Sequence, residues 1–379
     1  MPWKETTKMS QRQEFVVLAS DPDANVRELC RRFGICPGTA YKWLRRYRAG
    51  GLDGLADFSR RPHHCPSQTA PEVQTLALNL RKTHRAWGGR KIRRRLEDLG
   101  HQDLPATSTI TDILRRHGLI DPQEAAKHKP FTRFEHPQSN DLWQMDFKGD
   151  FPLESRGRCY PLTILDDHSR FNLGLRACRD QRRTTVQPHM IDIFRRYGLP
   201  RRILADNGPP WGSSNPHALT HLGAWFIRLG IELWHGRPFH PQTQGKEERF
   251  HRSLKAEVLQ GRSFRDSLDV QRHFDPWRDV YNLQRPHEAL NMATPASRYQ
   301  SSRRPFPESL PPIEYSPDCQ VRQADHQGYI RFQRLNIHVS DAVAHLPVGV
   351  RPTAQDGLWD VYFCHQKIDQ IDLRDQTKD

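Results

Sequence analysis

Three polar stretches interrupted by prolines cut this chain into segments that keep different hydrophobic periods, so it cannot fold around one core. They are residues 56–71, 121–140 and 300–312, and clusters of this kind separate folding units. The units they leave are residues 1–56, 70–121, 138–300 and 313–375. A length of 379 residues is enough for several cores. No run approaches the ~20 apolar residues of a membrane span. The start, MPWKETTKMSQRQ, has no apolar stretch and no small-residue cleavage site. We therefore expect a cytoplasmic protein with no membrane partner. The seven cysteines are scattered and never spaced as CxxC, which suits small core residues in a reducing compartment.

Charge gives the first positive direction. The net charge is +14, and it is graded: +10 over residues 1–140, +6 over 141–300 and −2 over 301–379. A basic front half suits a polyanion whose phosphates supply affinity. In the first unit Val26, Leu29, Cys30 and Phe33 form a helical stripe. Gly34-Ile35 breaks it, and Ala40, Trp43, Leu44 and Tyr47 begin another. Helix, tight glycine turn and basic second helix make a helix-turn-helix pattern, whose second helix enters the major groove. Thr39, Lys42, Arg45 and Arg46 lie outside the apolar stripe and are its candidate DNA contacts; a solvated basic face is the plainer alternative. The second unit reads as three helices, near 72–84, from Lys91 to Leu99, and after Thr107 or Ser108 as N-cap. Its basic run, with Arg90, Lys91, Arg93 and Arg94, is a second candidate DNA surface. The last unit alternates short β-type runs with turns at Gln327-Gly328 and Asp356-Gly357, predicting a small all-β domain that serves support or assembly.

The middle unit carries the chemistry. Trp143, Met145 and Phe147 alternate with polar residues, placing Asp146 on the polar side of a strand. Strands over Cys159–Asp166 and Asn172–Ala177 complete an antiparallel meander. A helix near Thr184–Tyr197 and a short strand Arg202–Ala205 follow, and Asp206 stands at that strand's carboxyl end, where α/β sites collect. A further helix begins near Gln244 to Lys246. Phe250, Leu254 and Val258 form its apolar stripe, Glu248 lies opposite in line with Arg252 and Lys255, and Glu247 projects near the stripe. Three carboxylates on two strand ends and a helix start suit Mg²⁺, which takes oxygen ligands. Two such ions ~3.5–4 Å apart can drive in-line displacement at phosphorus. Asp146, Asp206 and Glu248 are thus the candidate catalytic and metal-ligating residues, and Arg252 and Lys255 would hold phosphates. Asp141, Asp150, Asp166 and Asp167 read as surface carboxylates, with Asp166 or Asp167 serving the strand turn. His63, His64 and Cys65 lack a following CxxC, so no structural zinc is expected.

The blocks WQMDF, LDDHSRF, DNGPPWG, HPQTQGKEERFHRSLK and YNLQRPHEALNMATP, in that order, resemble insertion-sequence transposases of the DDE type, which share a core with retroviral integrases. The resemblance implies a ribonuclease-H-like α/β core (a mixed sheet flanked by helices) behind α-helical helix-turn-helix units. It implies Asp146, Asp206 and Glu248 as the triad, with two Mg²⁺ or Mn²⁺ ions per site. It implies cleavage at element ends and joining of the freed 3′-OH to target DNA. The basic residue seven after the family's glutamate falls on Lys255. The partners implied are double-stranded DNA, as element terminal repeats and as target, and a second copy of the chain on that DNA. No small-molecule substrate is expected, and the place would be the nucleoid. Glu247 departs from the pattern, since that position is usually apolar, and an unpaired buried carboxylate would be costly. Arg285 and His287 stay open between a structural and a DNA-adjacent role. Two other readings compete: an inactive DNA-binding regulator derived from a transposase, and a nuclease that cuts without joining.

Overall fold

The computed structural model describes residues 7–58, 68–120, 135–212, 219–236 and 245–374. They fall into two compact units, residues 1–68 and residues 69–379.

The first unit is three helices, α1 (Lys8–Leu18), α2 (Val26–Phe33) and α3 (Pro37–Gly50). Asn25 caps α2 by accepting the Glu28 amide, and Gly34, at φ +63°, ends it in the left-handed region that glycine tolerates best. Pro37 opens α3 with its ring already set for a helix. Phe15 and Val16 of α1 close over Cys30, Ala40, Trp43 and Leu44. The two expected stripes therefore meet in a single core, with α1 as its lid.

The second unit begins with α4 (Pro71–Thr83), α5 (Gly89–Asp98) and α6 (Thr107–Arg116). Trp87, Ile92, Leu96, Ile110 and Leu114 pack between them. At Gly89 α5 meets α6 so closely that a Cβ would lie 2.4 Å from Thr111 Oγ1 and 2.7 Å from the Thr107 carbonyl. The expected cap at Thr107 or Ser108 is displaced: Thr107 is already helical, and Ala106 stands in the cap position without a side-chain bond.

The central layer is a mixed sheet of β1 (Leu142–Phe147), β2 (Phe151–Pro152), β3 (Arg158–Asp166), β4 (Asn172–Cys178), β5 (Arg202–Ala205) and β6 (Glu232–His235). The order is β4-β3-β1-β5-β6, with short β2 on the start of β3. The meander β1-β3-β4 is antiparallel, and β1, β5 and β6 run parallel. Helices α7 (Arg183–Tyr197) and α8 (His221–Arg228) bring Val186, Met190, Phe194 and Phe226 onto one face, against Trp143, Met145 and Ile203. Helix α9 (Gly245–Leu254), a π-helical turn (Lys255–Leu259) and α10 (Ser267–Leu283) cover the other. There Phe250, Leu254, Val258 and Phe274 pack on Leu165 and Leu175. A four-residue helix, α11 (Pro295–Arg298), closes the layer.

The segment after α11 is not a free linker. Arg304 caps the carbonyls of Pro200, Leu229 and Gly230, Leu199 donates to the Arg304 carbonyl, and Phe306 packs on the core. It delivers the chain to β7 (Gln320–Gln323), β8 (Tyr329–Phe332), β9 (Leu335–His338), β10 (Pro347–Pro352), β11 (Leu358–Phe363) and β12 (Gln366–Asp372). These form an antiparallel sheet β12-β11-β10-β7 and a β8-β9 hairpin. The domain is joined to the central layer by packing and by hydrogen bonds. Its core includes Ala224 and Ile227 of α8. Its Gln366 side chain accepts from the Leu233 amide and donates to the Leu233 carbonyl, pairing an edge strand that would otherwise be open.

Candidate active site and DNA-facing surfaces

Two of the three expected acids are brought together by strand register. Leu142 pairs with Arg202, Trp143 with Ile203 and Gln144 with Leu204. That constant offset, carried two residues on, sets Asp146 beside Asp206 at the carboxyl ends of neighbouring parallel strands. Asp146 shares the sheet face of Gln144 and Thr163, the face that α9 covers. The Asp206 carboxylate is held at one oxygen: Trp211 donates its indole N–H to Oδ1, as does the Gly208 amide. Trp211 is itself fixed by stacking on Phe147, with ring centroids 5.1 Å apart. No donor among the described residues reaches Oδ2 of Asp206. Near the Asp146 carboxylate lie the His251 ring, with Nδ1 at 3.9 Å from Oδ2, and the Phe147 amide. Burial first, and then the charge of Asp206, push Asp146 up to about 7. Two neighbouring carboxylates with mutual repulsion, and with Oδ2 of Asp206 unclaimed, have the donor chemistry of a hard-cation site.

Helix α9 places the remaining acids differently. Glu247 is buried, at 1% exposure. Its Oε2 lies 2.9 Å from Thr163 Oγ1, which also lies 2.9 Å from Nε2 of His251 and 3.0 Å from the Asp146 carbonyl. Its Oε1 has no partner. Burial, with the nearby Asp146 charge, raises Glu247 well above the usual carboxylate range. Burial likewise pushes His251 down to about 3, so the ring is neutral and its short distances to the carboxylates are not ion pairs. The unusual Glu247 is thus neither solvated nor wholly unpaired. Glu248, on the opposite side of the helix, is exposed in line with Arg252 and Lys255. It makes no hydrogen bond or ion pair among the described residues. Nor do three His, Cys, Asp or Glu side chains among those residues group as a metal ion would require. The HPQTQ part of the fourth block lies outside the described residues.

Two acids read as surface carboxylates are instead core. Asp166 accepts from the Asn140 amide at one oxygen and from the Ser169 amide and hydroxyl at the other. Asp167, 1% exposed, pairs with Lys246 and accepts from Gln144 and the His136 amide. Asp166 ties the β3–β4 turn, and Asp167 pins the start of α9 to the sheet. Their polarity suggested surface; the many donors that converge on them make burial possible. Arg285 is also structural. It is 5% exposed, pairs with Glu257 at 2.7 Å and donates to Ser253, while Trp277 donates to the other Glu257 oxygen. His287 is partly buried against Tyr281, and burial together with the Arg285 charge holds it neutral.

Parts of the chain match known domain families. The integrase core domain family matches residues 136–241, and a second family of the same description matches 229–295. A helix-turn-helix domain matches 11–63, a homeodomain-like domain 39–114, and the IS481 family transposase C-terminal domain 319–379. Regions of the chain thus match integrase-core, helix-turn-helix and transposase C-terminal domains. It is 26% identical over 259 residues to an uncharacterized 39.2 kDa protein of insertion element IS476 from Xanthomonas euvesicatoria, covering 67% of this chain and 72% of that one. It is 24% identical over 307 residues to the transposase of Tn552 from Staphylococcus aureus, covering 71% and 62%. A solved catalytic core of BIV integrase aligns with 21% identity over 42% of this chain and 92% of that one, with a TM-score of 0.31.

The candidate DNA-facing residues divide by environment. In the first unit Lys42 and Arg45 are exposed on α3 and Thr39 is partly so. Arg46 is turned inward: it donates to the Ala56 carbonyl and stacks over Trp43 and Phe58 at 4.7 and 3.7 Å. In the second helical unit, α5 faces the integrase core. Arg95 donates to Gln284, Arg90 approaches Glu288 at 3.8 Å, and Val280 of α10 joins the three-helix core. Lys91 is largely buried there, and desolvation followed by the charge of Arg285 pushes it down to about 7. Arg93 and Arg94 pair within the helix with Glu97 and Asp98. The exposed basic positions of this unit include Arg115 and Arg116 on α6, which the density of basic residues on α5 had masked in the sequence.

Proposed function

We propose that this chain is a DNA transposase whose site cleaves the ends of an insertion element and joins the freed 3′-OH to target DNA. The observation that supports this most is the parallel register of β1 and β5, which sets Asp146 and Asp206 at neighbouring strand ends, close enough for the charge of one to act on the other, with Oδ2 of Asp206 claimed by no donor among the described residues. Asp146 and Asp206, with Glu248 at the start of α9, would hold two Mg²⁺ or Mn²⁺ ions. When bound, these supply charge neutralisation and activation of an oxygen nucleophile at phosphorus. The chain's own contribution is positional. Trp211 and the Gly208 amide fix the Asp206 carboxylate, Thr163 and His251 pack beneath Asp146, and Arg252 and Lys255 face outward to take backbone phosphates.

DNA is held by the basic helices. In the first unit α3 offers Thr39, Lys42 and Arg45 to the major groove, and Arg46 stiffens that helix from within. In the second, α6 follows α5 after the eight-residue connection 99–106, occupies the recognition position of a helix-turn-helix-like unit and presents Arg115 and Arg116. Two DNA-reading units suit recognition of element ends by a pair of copies more than they suit general cutting. Nothing in the site favours an inactive regulator, because both strand carboxylates are intact and Glu247 is accommodated by Thr163.

The test is a strand-transfer assay in Mg²⁺, using as substrate the inverted repeats that flank the gene. Wild type is expected to give joined products, and Asp146→Asn, Asp206→Asn and Glu248→Gln are each expected to reduce joining by at least ~10³-fold while DNA binding persists. Nicks without joining would show a nuclease, and equal joining by the variants would overturn the site.

A further inference from the structure

A cleft of about 500 Å³ lies between the turn that leaves β1, two residues past Asp146, and the chain that leaves the π turn. Its lining includes Lys148, Phe151, Lys255, Arg262 and Phe264. Lys148 is two residues beyond Asp146, and its charge acts on both Asp146 and His251. Lys255 opens the π turn, a widening of the helix often found at functional positions. The same turn sends Glu257 inward to Arg285 and Trp277 while Lys255 stays exposed at the cleft. The wall is aromatic: Phe264 is buried behind half-buried Phe151, with ring centroids 5.6 Å apart. Two carboxylates share the lining. Asp150 is paired with Arg158, which removes its charge as an obstacle, and Glu154 is exposed.

Cations beside an aromatic wall are the combination that holds single-stranded nucleic acid, phosphate on the cations and base on the ring. A duplex is far too wide to enter so small a cleft, whereas one unstacked nucleotide is not. We propose that this cleft binds a single unpaired nucleotide of the DNA strand next to the cleavage point, with its base against Phe151 and its phosphate on Lys148 and Arg262. The assignment rests on the transposase reading, and it adds a second point of attachment that aims the strand leaving the active site.

The test is equilibrium binding by the full chain in metal-free buffer, so that no chemistry intervenes. The probes are a fluorescein-labelled 20-base-pair duplex and the same duplex with a five-nucleotide single-stranded tail carrying 2-aminopurine. The tail is expected to tighten binding at least about fivefold and to quench the 2-aminopurine. Phe151→Ala and Arg262→Ala should each abolish most of that gain while leaving the blunt-duplex Kd within about twofold. Arg262 is exposed, so its variant decides the matter should Phe151→Ala melt early. No gain from the tail, an unaltered gain in both variants, or equal losses on blunt and tailed DNA would overturn the proposal. Failure of the transposase reading would show separately, as a wild-type chain that binds tailed DNA normally but joins no ends.

Discussion

Glu257 and Arg285 form the buried ion pair on which the covering of the active-site face depends, and Glu257→Gln tests it with little change of shape. The two side chains are 5% and 6% exposed and 2.7 Å apart. Trp277 donates to the remaining carboxylate oxygen and Ser253 receives the other guanidinium nitrogen, so neither partner can turn to solvent. Glutamine keeps the volume, but its NH₂ replaces one of the two accepting oxygens, so one of the donors Arg285 and Trp277 loses its acceptor, and Arg285 is left as an uncompensated buried charge. Breaking one side of such a pair costs about 3–5 kcal/mol. The charge of Glu257 also reaches Arg81, His84 and Lys91, so the three-helix unit docked on α10 loses support as well. At about 2–4 °C per kcal/mol for a domain of this size, calorimetry on the full chain should show the transition of the 69–379 unit about 6–20 °C lower. A double change, Glu257→Gln with Arg285→Met, should recover part of the loss because no charge is then stranded. DNA affinity should be the same in all three proteins. A shift under about 1 °C for Glu257→Gln would refute the buried pair, and weaker DNA binding by Arg285→Met at unchanged Tm would place Arg285 on DNA instead.

Three further outcomes follow from the site. Trp211→Phe keeps the stack on Phe147 but removes the indole donor from Asp206, and divalent-ion affinity measured by calorimetry should fall about 10- to 100-fold; unchanged affinity would remove Trp211 from the site. Asp146, held near 7 by burial and Asp206, binds a proton more readily folded than unfolded. Its contribution to stability is therefore lost as pH rises from about 4 to about 7, by up to ~4 kcal/mol. In chelator, Asp146→Asn should melt above wild type at pH 8 and level with it at pH 4, whereas equal offsets at both pH values would contradict the assignment. Lys91 lies folded near 7, well below its ordinary value, so its desolvation penalty is full at pH 6 and declines toward pH 10. Lys91→Met should raise Tm more at pH 6 than at pH 9 and leave DNA affinity unchanged, and a clear loss of affinity would put α5 on DNA rather than on the core.

How much of this was legible in the sequence depended on local signals. Strands β1, β3, β4 and β5 and helices α3, α7 and α9 announce themselves by alternation or by a 3.6-residue stripe, because each buries one face. Asp206 was readable because a four-residue apolar strand ends on it. What stayed hidden was set by tertiary contact. Strands β7 (QVRQ) and β12 (QKIDQID) carry too little apolar alternation to signal a strand. Asp166 and Asp167 look like surface acids until the amides of Asn140, Ser169 and His136 converge on them. Trp211 gives no hint from its neighbours that its indole reaches back five residues to Asp206. The basic run of α5 suggested a DNA surface because charge density says nothing of direction; its docking on α10 is a contact between residues nearly two hundred apart. Helical phase put Glu247 near the apolar stripe but left a solvated helix end open for it, and only Thr163, a strand away, shows how a carboxyl group is tolerated in the core.

The central claim is that Asp146 and Asp206 share divalent cations at a phosphodiester. Crystals of the full chain grown with MnCl₂ and end-bearing DNA, with data collected at the manganese edge, test it most directly. We expect an anomalous peak between the two carboxylates, with Glu248 turned inward to complete the coordination. Manganese found only elsewhere, with the Asp146 and Asp206 oxygens unliganded beside bound DNA, would contradict it.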